Sequence, residues 1–430
     1  MQEANKCNAV KRDFNRLAVL SGVTALAVTL MASGALAQYP QQSLKLTASD
    51  GAMGYYFGGS VALSGNLGIV SSYGEHSYRG SVCVFDLATG TQLRKLTASD
   101  GQNYDDFGNS VAFSGNLAVV GAWEDTEGSK ANCGSAYVFN VATGEQLFKL
   151  TASDGAGWDR FGSSVALSDT RAVIGAYRDD APNSDCGSAY VFDVTTGSQL
   201  RKLTASDASS GDKFGSAVAL SGNVTLIGAY NDDPKGNESG SAYIFDTTTG
   251  GQLRQLAASD GAMNDNFGCS VALSGNLAVI GANGHNGGRG AAYVFDVTTG
   301  EQLFKLTASD GAGGDRFGIS VALSGNLALV GAFYDDLSAT LPDAGSAYIF
   351  DVTTGEQLYK LTAADMAIGD CFGYSVALGE DGIALIGAVF DNDRGSDSGS
   401  AYVFTAVPEP ATVSLVGLGV LGLWARRWRR

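Results

Sequence analysis

Five acidic pairs recur along this 430-residue chain: Glu124-Asp125, Asp179-Asp180, Asp232-Asp233, Asp335-Asp336, and Asp391 with Asp393. Carboxylates in such pairs can do three kinds of work. Converging oxygens can hold Ca²⁺. Two carboxyl groups flanking a sugar bond can cleave it. Asp can also cap turns and keep an exported surface soluble, which is the plainest reading. A more regular set follows the tripeptide Ala-Ser-Asp and its variants: Asp50, Asp100, Asp154, Asp207, Asp260, Asp310 and Asp365. A further Asp stands two residues before a Phe in six places, among them Asp159, Asp212 and Asp315. A group repeated in every copy fits a loop tied to its own backbone better than a single ligand site. Aromatic residues share these stretches: Tyr55, Tyr56, Trp123, Tyr177, Tyr230 and Tyr334. They can stack on sugar rings, or pack under the loops as plugs of an inner rim.

Other chemistry is sparse. The two histidines, His76 and His285, lie far apart, and no HExxH, GxSxG, phosphate-loop or CxxC pattern occurs. A Ser-His-Asp hydrolase is therefore not expected. Beyond residue 37 there are five cysteines, Cys83, Cys133, Cys186, Cys269 and Cys371, an odd number. Cys133 and Cys186 occupy equivalent places before Gly-Ser-Ala-Tyr, and the spacing of equivalent points on neighbouring units argues against a bridge.

These residues hang on a repeat. Phe-Gly recurs at Phe57, Phe107, Phe161, Phe214, Phe267, Phe317 and Phe372, at steps of 50, 54, 53, 53, 50 and 55 residues. That period fits a four-stranded propeller blade. In residues 161–204 the strands read FGSSVALS, RAVIGA, GSAYVFD and SQLRKLT, divided by turn-forming residues. Apolar runs such as LAVV and AYVF need cover on both sheet faces, which stacked blades supply. The fourth strand carries Lys, Gln and Arg, as an outer edge should. No fourth strand follows AYVF at 401–404, yet SLKLTASDG at 43–51 is a fourth strand without a blade before it. The first strand is thus expected to complete the last blade. The fold expected is all-β: a closed seven-bladed propeller of four-stranded antiparallel blades, with short apolar helices at both termini. Antiparallel connectivity then places the near-constant Ser-Gly-Asn and Thr-Thr-Gly turns on one face. The variable loops, 2–3 and 4–1, lie on the other, which becomes the candidate ligand surface. Its candidate residues are Asp179, Asp180, Asp232, Asp233, Asp335, Asp336, Asp391, Asp393, Trp123, Tyr177 and Tyr230.

The termini read as addresses. Lys11, Arg12 and Arg16 precede the apolar run Leu17 to Met31, and Ala35-Leu36-Ala37 offers signal cleavage between Ala37 and Gln38. Ala411 to Ala425 is a 15-residue apolar run closed by Arg426, Arg427, Arg429 and Arg430, the pattern of a membrane anchor with a cytoplasmic end. The expected division is therefore a signal peptide at 1–37, a propeller at 38–405 and a tail at 406–430. The net charge is -17; residues 1–37 carry +2 and residues 405–430 carry +3, so the stretch between carries -22. Such a body repels nucleic acid and suits cations, basic partners or neutral glycans.

Two resemblances follow from these residues. The Phe-Gly openings, with Gly-Ala closing the second strand in six copies and Ser71-Ser72 in the first, resemble FG-GAP repeats of integrin α-like propellers. Many such repeats carry a DxDxDG calcium loop between strands 1 and 2. Here that place is a short Ser-Gly-Asn turn, and only Gly379-Glu380-Asp381-Gly382 is faintly acidic, so those calcium sites are not carried over. Ca²⁺ on the acidic loops stays open, and no cofactor is expected. Pro408-Glu409-Pro410, the apolar run and the Arg cluster together resemble the PEP-CTERM sorting tail. That resemblance implies a Gram-negative envelope protein processed near Pro408–Pro410 by an exosortase-type protease, with Arg426 and Arg427 in the basic end. It also implies a link to exopolysaccharide. The expected function is a non-catalytic, surface-anchored binding or adhesion propeller whose partner is an envelope protein or extracellular polysaccharide. A polysaccharide hydrolase or lyase using loop carboxylates and a structural surface-layer protein are the alternatives.

Overall fold

The structure is a computed structural model that describes residues 40–180 and 182–405. The signal segment with Ala37 and Gln38, the sorting tail with Pro408, Glu409, Pro410, Arg426 and Arg427, and the two terminal helices expected from sequence lie outside the described residues. The rest forms seven four-stranded antiparallel sheets. One blade shows the pattern: Phe161–Ser168, Arg171–Ala176, Ser188–Asp193 and Ser198–Leu203, paired in that order. The two middle strands are rich in Val, Ile, Ala, Tyr and Phe and are almost wholly buried, as strands covered on both faces must be. The first turn is tight and needs positive φ, which Gly65, Gly115, Gly222, Gly275 and Gly325 supply at 54° to 59°.

First strands of neighbouring blades touch one another in an unbroken cycle that returns from Phe372–Leu378 to Phe57–Ser64. They therefore line the axis. Gln41–Leu46 pairs with Ser400–Thr405, with Lys45 opposite Tyr402 and Gln41 opposite Thr405. The seventh blade is thus built from both ends of the ring. Every outer strand shifts register by one residue near its middle. In the third blade the residue left over is Leu200, which is 47% exposed. A bulge on an outer edge resists pairing with a foreign strand.

The Phe-Gly phrase is the seam between blades. Phe107 is fully buried, packs edge-on to Tyr137 and Phe139 of its own blade, and lies in one cluster with Ile69, Val82 and Val84 of the preceding blade. The backbone reinforces the seam. The Phe161 N–H donates to the Cys133 carbonyl at 2.9 Å, and Phe57 repeats this with Ser398 at 3.0 Å across the closure. Gly134 must be glycine there: its φ is +80°, and a Cβ would lie 2.0 Å from the Phe161 carbonyl oxygen.

Candidate binding surface

The acidic residues resolve into two devices. In the first, an outer-strand Lys, an inward Tyr directly opposite it, an Asp of the 2–3 loop and the Ala-Ser-Asp aspartate meet. Tyr190 stands opposite Lys202 in register. The Lys202 ammonium lies 2.7 Å from both Asp154 and Asp179, and the Tyr190 hydroxyl donates to both carboxylates. Tyr137, Lys149, Asp100 and Asp125 repeat it, as do Tyr348, Lys360, Asp310 and Asp335. Burial opposes the charge on Asp100, Asp154, Asp310 and Asp365, but the ammonium and phenol hold these carboxyls below the usual range. Three blades depart from the pattern. The first has Cys83 for Tyr and Glu75 for the loop Asp. The fourth has Gln255 for Lys, its amide donating to Asp232 at 3.2 Å. The fifth has His285 in the loop, 2.8 Å from Asp265 and 2.7 Å from the Lys305 ammonium.

The second device is the Asp two residues before Phe. Asp159 is buried and accepts the Ala156 N–H at 2.6 Å, closing its own loop, and Asp105, Asp212, Asp265, Asp315 and Asp370 do the same. Burial pushes Asp105, Asp159, Asp212 and Asp370 up to about 6, against the pull of that N–H. The outer members of the acidic pairs cap turns: Asp180, Asp233 and Asp336 accept backbone N–H groups of their own loops at 2.6–2.9 Å. Asp365, Asp391 and Asp393 form the one group spaced to hold a metal ion among the described residues. The Lys45 ammonium sits against all three at 2.5–2.8 Å. Burial works against that charge, but the carboxylates together hold it above the ordinary lysine range. A metal would have to displace it.

The aromatic residues do something else. The 2–3 loop of each blade is zipped to the loop entering the next, for example Trp158 N–H to the Ala131 carbonyl at 2.8 Å. The residue before each Phe-Gly is held there at positive φ, 55° to 64°: Tyr56, Asp106, Arg160, Lys213, Asn266, Arg316 and Cys371. Side chains from these positions, and from those just after the second strand, surround the mouth of the axis. From blade six through blades seven and one to the loop entering blade two, Phe333 and Tyr56 join Tyr374 of a first strand and rings of the adjoining loops in a continuous arc, Tyr334–Phe333–Tyr374–Phe390–Tyr56–Tyr78–Tyr104, with neighbouring ring centroids 3.9–6.5 Å apart. Tyr73 stacks on Tyr56 at 5.3 Å. On blades two to four the rings alternate with cations. The Arg160 guanidinium lies 4.9 Å from the Trp123 ring and pairs with Glu124; Arg178 and Lys213 each lie 5.7 Å from the Tyr177 ring. The Trp123 indole N–H donates to Asp106 at 2.7 Å, and burial pushes that carboxyl up to about 6. Tyr230 is half-buried on the fourth blade.

Seven consecutive segments match the FG-GAP repeat: residues 40–85, 91–139, 145–192, 198–245, 251–295, 301–350 and 356–404. The chain belongs to the FG-GAP repeat family. Each FG-GAP segment opens on an outer strand and takes its next three strands from the following blade, the offset that closes the ring. Residues 406–430 match the PEP-CTERM protein-sorting motif. This FG-GAP protein is therefore exported and attached at the Gram-negative cell surface, with an exosortase as its processing partner. No helix among the described residues is long and apolar enough to cross a membrane. Comparison with curated proteins gives no match.

Structure and sequence reading meet unevenly here. Trp123, Tyr177 and Tyr230 follow the second strand, and so do Tyr73 and Phe333, which sequence reasoning passed over. Aligning the copies on the end of that strand would have found both: Phe333 follows Gly331-Ala332, and Tyr73 follows Ser71-Ser72 in the same place. All five described cysteines, Cys133 and Cys186 included, are free thiols. Burial pushes Cys83 and Cys371 up to about 12.

Proposed function

We propose that this protein is a non-catalytic binding or adhesion propeller that presents its loop face to an extracellular polysaccharide or an envelope protein. One observation carries the reading: where the exposed large apolar side chains lie. Met53, Tyr104, Trp158, Met263 and Ile368 project from the loops entering the blades, and Tyr78 and Tyr334 from the 2–3 loops. The others among the described residues are the outer-strand leucines Leu93, Leu200, Leu253 and Leu303; none lies in a Ser-Gly-Asn or Thr-Thr-Gly turn. Exposed apolar residues gathered on one face mark an interaction surface. Gln41 and Thr405, the terminal register partners of the closing strand pair, lie at the end of their strands nearer the plain face, so neither end of the closing pair crowds the loop face. Catalysis by the acidic pairs is disfavoured, because their inner carboxylates already bind Tyr together with Lys or Gln, and their outer ones cap turns or pair with Arg160 or Lys45.

The test is a binding screen of the full chain against glycans and envelope proteins, with and without Ca²⁺. Retention that falls with Tyr104→Ala and Trp158→Ala, but not with Asn276→Ala on the plain face, is the expected result. Polysaccharide turnover lost in Asp179→Asn or Asp335→Asn would overturn it in favour of an enzyme.

A further inference from the structure

We infer that the quadrant of the mouth formed by blades two and three takes an acidic saccharide, a hexuronate unit of an extracellular polysaccharide. The inference rests on the loop-face reading and adds the ligand class to it. Trp123 and Tyr177 lie with ring centroids 6.0 Å apart, and Trp158, 56% exposed, stands on the far side of Arg160, whose guanidinium lies 5.9 Å from its ring. A pyranose packs its C–H face on such rings while its hydroxyls stay wet.

Arginine narrows the ligand. Arg160 already pairs with Glu124. Arg178 does not: it lies against Tyr177, its Nε is buried without an acceptor, and no carboxylate lies within ion-pair reach of it among the described residues. A half-buried guanidinium without a counter-charge, beside two rings tilted at 40° to one another, is complementary to a carboxylate carried on a sugar ring. The charge of the molecule sharpens this choice. At -17 overall it repels a bare polyanion, but screening over about 8 Å in physiological salt leaves the local contact intact. The site therefore favours a ligand that brings a stacking ring and a carboxylate together over one that brings charge alone.

The experiment measures binding of the full chain to three probes: an oligogalacturonate, the same oligomer as its methyl ester, and an oligoglutamate peptide of equal charge. Loss of one charge-assisted contact predicts that the acid binds roughly 10- to 100-fold more tightly than the ester. Arg178→Gln should bring that ratio towards one, and Arg178→Lys should restore part of it. Trp158→Ala should weaken acid and ester together. Circular dichroism confirms that each variant is folded. Equal binding of acid and ester, or an acid preference untouched by Arg178→Gln, overturns the uronate assignment while leaving a glycan-binding loop face in place. Tighter binding of the peptide than of the uronate overturns it in favour of an acidic protein partner. Binding of none of the three overturns it as well, and the envelope-protein arm of the wider screen then decides the loop-face reading separately.

Discussion

Asp212 is a buried carboxyl whose charge gains little from its surroundings. It accepts the Ser209 N–H, yet burial leaves its carboxyl at about 6 against the ordinary 3.8, and Asp105, Asp159 and Asp370 are alike. The folded chain therefore holds these protons more tightly than the unfolded chain does. Their contribution to stability is full below about pH 4 and is lost as pH rises through about 6. The Ala-Ser-Asp carboxyls work the other way. Asp100, Asp154, Asp310 and Asp365 lie below the ordinary aspartate range, so their contribution is present above about pH 4 and lost as pH falls through their folded values. The melting temperature should rise from pH 7 to about pH 5 and fall again below about pH 4, as scanning calorimetry would read. Asp212→Asn with Asp159→Asn should flatten the neutral limb; a melting temperature that climbs steadily from pH 5 to 8 would count against this assignment. A second test concerns Gly399, which has φ +77° and room for a Cβ only 2.0 Å from the Phe57 oxygen. Gly399→Ala should cost more than about 3 kcal/mol in denaturant unfolding, because backbone on both sides must move.

At the level of the strand, the Tyr–Lys pair and its two aspartates explain why the outer strand stays on its blade. Seven natural versions allow comparison, and the fourth lacks the cation: Gln255 faces Tyr243, where five other blades pair Tyr with Lys. Gln255→Lys should add on the order of 0.5–1 kcal/mol, a modest gain because the pair is part-exposed and the amide contacts are given up. A shift of the unfolding midpoint to lower denaturant would refute it. Strands and tight turns were legible in sequence because short apolar runs, β-rich composition and Ser-Gly-Asn are local signals. The four-residue network was not: Asp154, Asp179, Tyr190 and Lys202 meet only once register is set. Its trace was nonetheless present in the single departures from the repeat at Cys83, Gln255 and His285. The aspartate before Phe was read correctly as a loop tie. The Ala-Ser-Asp aspartate was read the same way, but it binds the neighbouring strands instead.

For the whole ring, closure is the decisive feature, and it was legible by counting, since a fourth strand without a blade stood at one end and a blade without a fourth strand at the other. Lys45 is its electrostatic latch, set among Asp365, Asp391 and Asp393. Lys45→Ala should cost about 1–3 kcal/mol, leaving the buried Asp391 without its cation. Deleting residues 41–46 should do far more, exposing the edge of Ser400–Thr405. Limited proteolysis should then cut first within the seventh blade, whereas cleavage starting elsewhere would show that the ring does not depend on this strand. The mouth was less legible. Its arc of rings runs from blades six and seven on to blade one, which only closure brings alongside, so no window of sequence contains it.

The pairing of Gln41–Leu46 with Ser400–Thr405 also sets an order of events during secretion. Gln41–Leu46 must wait, unpaired, until Ser400–Thr405 has been made and exported. Six blades can assemble behind it, each on its predecessor, but the last has no fourth strand until the two extremes meet. Slow maturation governed by a single late encounter between segments far apart in sequence is what such a circular architecture predicts.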